Sequence, residues 1–318
     1  MRLVSLLLIL FSVKISAQSW QLVETTGEPI KRHENSLTSI GSKLYVFGGR
    51  GVKPMDVLNA ETNVWTTKGE TPLEMHHFQA VNYKGEIYVL GAFTGSYPHE
   101  TPIPNIYIYN PDTDTWRIGA EIPRKRGSAG AFVYNNKIYL VCGIQDGHWD
   151  GHVTWFDEYN PETNKWRTLS DAPQARDHTS VAVVGDKLYL AGGRKSHAAI
   201  NQVLELTTAE VDVFDFKTNT WETLPASANI PTERAGCSAV SKDGKLIIIG
   251  GESSSQKSAH SDVEVLNPRT NVWEKLPPMK VTRHGTGATV INGKIYIAAG
   301  SLNRGGGPEL NSVECLED

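Results

Sequence analysis

The sequence predicts an all-β chain folded as a six-bladed β-propeller. Three observations lead there. Trp20, Trp65, Trp116, Trp166, Trp221 and Trp273 recur at intervals of 45 to 55 residues. Six spans of constant length start at Arg32, Met75, Arg126, Arg176, Arg234 and Arg283. Each reaches, 16 residues later, one of the pairs Gly48-Gly49, Gly91-Ala92, Cys142-Gly143, Gly192-Gly193, Gly250-Gly251 and Ala299-Gly300. No stretch carries an amphipathic helical period of useful length. Internal periods near 50 residues built only from strands point to radially repeated four-stranded blades.

Taken in order, residues 1–17 are expected to be a signal peptide. Arg2 gives a positive n-region, Leu3 to Val13 is an apolar run of 11 residues, and Ile15-Ser16-Ala17 ends on a small residue. Such a run is too short to span a bilayer and fits a cleaved leader, leaving Gln18 first. A secreted or periplasmic location follows. No other apolar run approaches 18 residues, so no membrane association is expected after cleavage. The chain has no Asn-x-Ser/Thr sequon, which favours a bacterial exported protein. Residues 18–318 should form one domain.

Without Arg2 and Lys14, 29 basic residues face 35 acidic ones, a net charge of −6. That argues against a nucleic-acid binder, which would be basic. The cysteines, Cys142, Cys237 and Cys315, are too few for a disulfide framework and lie in apolar strands. Buried thiols are expected, with one disulfide as the alternative.

Each repeat reads as four strands. The first two are short and apolar, as in Ala131-Phe132-Val133 and Ile138-Tyr139-Leu140-Val141, and flank two-residue turns such as Asn135-Asn136, Gly185-Asp186 and Asn292-Gly293. These turns need positive φ, which Gly, Asn and Asp tolerate. The third strand alternates, as in Val211-Asp212-Val213-Phe214, and the fourth carries the Trp. Asn160-Pro161-Glu162-Thr163-Asn164 and Asn267-Pro268-Arg269-Thr270-Asn271 join these two. Pro sets φ there and the last Asn accepts the left-handed region. After Ala299-Gly300 the chain offers only a third strand, Ser312 to Leu316. The missing fourth strand is Trp20-Gln21-Leu22, so the N-terminus should close the last blade and leave no open edge.

In a four-stranded meander the short turns share one face. The longer second-to-third loops and the interblade linkers share the other, where function is expected. Five of the six register positions on that face are Arg: Arg32, Arg126, Arg176, Arg234 and Arg283. A ring of guanidinium forks around the axis would suit a carboxylate or sulfate. The competing reading is structural, each Arg pairing with an acid of a neighbouring blade. Beside them stand His33, His76-His77, Asp177-His178 and His284. The loops add Tyr97-Pro98-His99-Glu100, Arg194-Lys195-Ser196-His197, Glu252 and His260, and Arg304 before Gly305-Gly306-Gly307. The blade-three loop, Asp146 to Trp155, holds His148, Trp149, His152 and Trp155, read as polar and aromatic ligand contacts. Its spacing matches neither a zinc finger nor a metalloprotease helix, so no metal site is assigned and no recognised motif requires a cofactor.

The Gly-Gly…Tyr-Asn-Pro…Trp pattern resembles the kelch repeat over essentially all of residues 18–318. The resemblance implies a propeller; it leaves function open, since such propellers serve as enzymes and as binding modules. Fungal galactose oxidase shares the repeat, but has seven blades and a copper site on a Tyr–Cys cross-link that has no counterpart here. Plant specifier proteins carry Glu, Asp and His at four-residue steps; the nearest match, Glu252, Gln256 and His260, lacks the Asp. The chain is also similar to periplasmic sialic-acid mutarotases, which implies an acid/base pair drawn from His33, His76, His178, His284 and Glu34, with an Arg on the sugar carboxylate. Propeller lyases of uronate polysaccharides, which use His, Tyr and Arg, are a further resemblance. The expectation is a monomeric propeller that binds, and in one version transforms, an anionic carbohydrate or other small acidic ligand. A non-catalytic protein-interaction propeller is the alternative.

Overall fold

A computed structural model describes residues 18–317, and the expected signal peptide lies outside the described residues. The chain forms six four-stranded antiparallel sheets arranged as blades around an axis. Blade one contains Asn35–Ile40, Lys43–Gly48, Pro54–Asn59 and Val64–Glu70. Blade four, formed by Val181–Val184, Lys187–Leu190, Asp212–Asp215 and Thr220–Thr223, repeats the pattern with shorter strands. The only helices among the described residues are the single 3₁₀ turns Ala198–Ile200 and Ala226–Ala228.

The last blade closes as expected. Ser19–Leu22 pairs antiparallel with Val313–Glu317, matching Trp20 to Leu316 and Gln21 to Cys315. Trp20 is 1% exposed and packs among Ile247, Ile295 and Ile297, so this closure also ties blade six to blade five. Each apolar cluster of the fold joins two consecutive blades, and the set runs around the ring without a break. Burial between blades, not within one, holds the ring together.

The turns behave as their residues require. Asn164 and Asn271 sit in the left-handed region at φ 57° and 55°. The side-chain oxygens of Asn59, Asn110 and Asn160 accept from the backbone N–H two residues on, at 2.9, 2.9 and 3.1 Å. In the five blades whose pair ends in Gly, the backbone comes close to that position; blade two has Ala92 there. At Gly49 a Cβ would lie 2.7 Å from the His33 carbonyl, and at Gly300 2.7 Å from that of His284. The first position is as close, a Cβ at Gly250 lying 2.4 Å from the Arg283 carbonyl, yet Cys142 and Ala299 stand there in two blades, at φ 58° and 60°. All three cysteines are free and buried; burial pushes the Cys142 thiol up to about 12.

Candidate functional site

The register arginines are not the site. Arg32, Arg126, Arg176, Arg234 and Arg283 are each 0% exposed. Each reaches across its own blade to a third-strand acid: Arg32 to Asp56 at 2.6 Å, Arg126 to Asp157 at 2.7 Å, Arg234 to Glu264 at 2.6 Å, Arg283 to Glu314 at 2.8 Å, and Arg176 to Asp212. Each also donates to the carbonyl 16 residues on, for example Arg126 Nε to Cys142 at 2.9 Å and Arg283 to Ala299 at 2.8 Å. The guanidinium ties the strands of one blade and satisfies carbonyls left by the Gly-Gly turn. Blade two shows the logic by exception. Met75 replaces the Arg, Tyr107 occupies the acid's place opposite Val89, and both join one apolar cluster. Two expectations are thereby corrected: these five arginines do not face the axis, and their partners lie in the same blade.

What faces the axis is the residue two positions later: Glu34, His77, Ser128, His178, Gly236 and Gly285. All six adopt left-handed backbone, with φ between 49° and 63°. The conformation lets successive blades join through the backbone. His77 N donates to the Glu34 carbonyl at 2.9 Å, Ser128 N to His77 at 3.0 Å, Gly236 N to His178 at 2.8 Å and Gly285 N to Gly236 at 3.0 Å. Left-handed φ costs a side-chain-bearing residue of order 1–3 kcal/mol and is met most often where function demands it.

Above this ring the loops enclose a cavity of about 500 Å³, lined among others by Arg50, His77, Tyr97, His148, Arg194 and Glu252. Two imidazoles, His77 and His148, line its floor, and His178 packs against both from the axial side. His77 stands edge to face with His148 and His178, which are tilted to one another, and the three ring centres lie 4.8 to 5.0 Å apart. Each carries a carboxylate. His77 Nε2 lies 2.9 Å from Glu34, and His148 Nδ1 lies 2.9 Å from Glu100; His178 Nδ1 contacts Asp177. His76 extends the first chain, its Nδ1 2.6 Å from His77 Nδ1. Arg194 joins Glu252 and, through Ser196, Asp177. Arg50, with 28% of its side chain exposed, donates to Glu100 at 2.7 Å.

The electrostatics follow from burial and pairing. Burial would raise the Glu34 carboxyl, but His77 beside it, with His284 and His33, holds it well below the usual range. Burial likewise opposes ionisation of Asp177 and Glu252. Hydrogen bonds from His152 and His178 hold the first well below its ordinary value, and His284 with Arg194 holds the second at about 2. Desolvation pushes His76 down to about 4, helped by Arg50. Desolvation also lowers His77 and His178. Carboxylates held ionised thus stand beside His76, His77 and His178, whose charging burial disfavours, an arrangement able to hold or move a proton.

The structure brings together His33, His76, His77, His148, His178 and His284 at this face. His33 sits at the rim on Glu309, at 2.8 Å. His284 is 1% exposed; its Nε2 donates to the Asn303 carbonyl at 2.9 Å, and its Nδ1, 3.8 Å from Glu34, has no hydrogen-bond partner. Three loop residues stand apart. His152 backs Asp177 from behind, at 3.4 Å, and donates to the Ser196 carbonyl. Trp155 packs over Arg124 and Arg126 as part of the blade, which corrects its assignment as a ligand contact. Trp149 lies at the outer rim against His99. Arg50 was absent from the sequence-derived set. Its signal was position: like Arg194 and Glu252, it directly follows a Gly-Gly pair, where the chain leaves the second strand over the cavity.

Comparison with known proteins agrees with this architecture. The KLHDC2/KLHL20/DRC7 Kelch-repeats domain description matches residues 5–171 and 120–300. Kelch-like protein terF of Aspergillus terreus is 27% identical over 305 residues, covering 89% of this chain and 64% of that protein. Human Kelch-like protein 23 is 24% identical, covering 85% of this chain and 46% of its own length. The chain thus spans less than two thirds of these relatives. The solved structure of YjhT superimposes with a TM-score of 0.77 at 18% identity, covering 90% of this chain and 95% of that one, a likeness of fold.

Proposed function

Because the chain belongs to the Kelch-repeats domain family, in which one scaffold carries many loop-borne specificities, we propose that its axial cavity binds a small anionic carbohydrate. The observation that carries this reading is the cavity's lining. Arg50 presents a part-exposed guanidinium, Tyr97 is 56% exposed and leans on His148 with ring centres 5.3 Å apart, and carboxylates and imidazoles converge below. A volume near 500 Å³ suits a small molecule. An aromatic wall receives the apolar face of a sugar, and a guanidinium fork takes its carboxylate. In the same reading the leader-like residues 1–17 put the protein in the periplasm or outside the cell, as a monomer. Where the ligand is also transformed, Asp177–His178 and Glu34–His77 are the acid/base pairs, suited to mutarotation or β-elimination.

Calorimetric titration with glucuronate, galacturonate and N-acetylneuraminate tests the binding. At least one should bind, and Arg50→Ala should weaken it roughly tenfold or more, the worth of a charge-assisted hydrogen bond. Binding of none, or binding indifferent to Arg50, would sink the reading. Proton NMR of the anomers and ultraviolet absorbance of an unsaturated uronate then separate mutarotation, elimination and binding alone.

One observation favours a second reading. Tyr97, Trp149 and Ile200 are exposed on this same face, and the Ala199 N–H to Trp149 carbonyl contact sets Ile200 beside Trp149. Exposed aromatic and aliphatic anchors are what a protein partner would use. Capture of a partner protein that is lost in Trp149→Ala and kept in Arg50→Ala would select this alternative.

A further inference from the structure

We propose that the propeller axis holds a divalent transition-metal ion, of the zinc class, ligated by His77, His148 and His178. This goes beyond the carbohydrate reading and does not depend on which ligand fills the cavity above. One ring nitrogen of each of the three histidines lies within 4.8 Å of those of the other two, and all three residues are buried.

The hydrogen bonds fix what two of those nitrogens must be. A carboxylate accepts, so the Nδ1 of His148, bound to Glu100, and the Nδ1 of His178, bound to Asp177, both carry the proton. In the neutral rings each Nε2 then holds a lone pair. Those two Nε2 atoms face one another at 3.1 Å. Two lone pairs at that separation repel unless a cation is shared between them. His77 is the third corner, turned edge-on to both rings; Glu34 accepts from its Nε2, which leaves the lone pair of the neutral ring on Nδ1, 2.6 Å from His76 Nδ1, so ligation would displace that contact.

Three further features fit. Each histidine has its own carboxylate, the arrangement that sets tautomer and orientation in zinc sites. Charge is short on the positive side: Glu34, Glu100, Asp177 and Glu252 face Arg50 and Arg194, leaving two negative charges for the histidines or a bound cation to balance. The shared left-handed register also brings side chains to the axis where His77 and His178 stand, at φ 53° and 49°, in positions that blades five and six fill with Gly236 and Gly285. Three imidazoles are the donor set of an open zinc site, with the fourth position left for water or substrate. His77 and His148 line the large cavity, so that position would open towards it.

The signal was spread through the sequence as single histidines in three blades. His77 and His178 share a register position, and His148 comes from a long loop. No local motif contains more than one of them, which is why spacing alone assigned no metal.

The test uses the mature chain, stripped with a chelator, dialysed, and titrated with Zn²⁺, Co²⁺ and Mn²⁺, with metal content read by mass spectrometry. One zinc or cobalt per chain is expected, with a rise in melting temperature on binding. His148→Ala and His178→Ala should each lose stoichiometric binding. Glu100→Gln should retain it with an affinity roughly 10- to 100-fold weaker, as expected for a residue that acts through a ligand. His99→Ala, exposed at the rim, should bind as wild type. Circular dichroism confirms that each variant is folded, and Glu100→Gln keeps the test valid if an alanine variant is not. Substoichiometric uptake of all three metals by the folded wild type would overturn the proposal, and would mean that a proton bridges His148 and His178. Equal uptake by the folded double variant His148→Ala/His178→Ala would also overturn it. Sugar titration repeated in chelator reports on the carbohydrate reading separately.

Discussion

Two layers of side chains lie two residues apart at the start of every blade, and they do opposite work. The first is Arg in five blades and is fully buried, each guanidinium pinned to an acid on the third strand. The second reads Glu34, His77, Ser128, His178, Gly236 and Gly285, lines the axis and shares one backbone conformation. The constant layer is scaffold because every blade needs the same tie. The variable layer is free to specialise because the ring asks only for left-handed φ there. Within a single repeat protein, sameness across blades marks structure and difference at an equivalent position marks function.

The scaffold half of this contrast gives the largest effects. Removing residues 18–22 deletes the closing strand and with it Trp20, whose burial alone is worth about 3–5 kcal/mol. The truncated chain should unfold at much lower denaturant, and a curve matching the full mature chain would refute the closure. Next, Arg176→Met should cost about 3–5 kcal/mol, because Asp212 is left buried and unpaired. Blade two predicts the rescue. The double variant Arg176→Met/Asp212→Tyr, copying Met75 and Tyr107, should recover most of that loss in urea denaturation. Failure to recover would mean that the guanidinium does more than balance one charge.

The axial half gives smaller changes in stability and larger ones in binding. Glu252, held at about 2 against an ordinary 4.5, favours the folded state above the higher value and loses that contribution as pH falls towards the lower. Urea denaturation at pH 5 and pH 3 should therefore show a loss that is reduced in Glu252→Gln. Smallest, Tyr97→Ala should leave folding intact and weaken sugar binding by about 1 kcal/mol, roughly fivefold, through loss of an exposed stacking face. An unchanged affinity would remove Tyr97 from the site.

The sequence revealed the fold almost entirely, because turn chemistry, strand length and the Trp period all repeat within one chain. Even closure by Trp20 followed from counting strands. The site was half legible. His77, His148 and His178 stood out as residue types, but their meeting at one point depends on ring closure, which no linear spacing encodes. The five arginines misled for a physical reason: the backbone turn that sends Glu34 to the axis sends Arg32 into the blade. A sequence shows that an Arg stands at a strand's mouth, not which way its guanidinium turns. Arg50 was overlooked because it follows Gly48-Gly49 and reads as part of the turn.

The contrast between the layers is tested most directly by calorimetric titration of one sugar acid into two variants, Arg50→Ala and Arg283→Met. Arg50→Ala should melt like the wild type yet bind roughly tenfold or more weakly. Arg283→Met should melt earlier, while its folded molecules bind with wild-type affinity. Loss of binding in folded Arg283→Met with full binding in Arg50→Ala would contradict the account and return the site to the arginine ring.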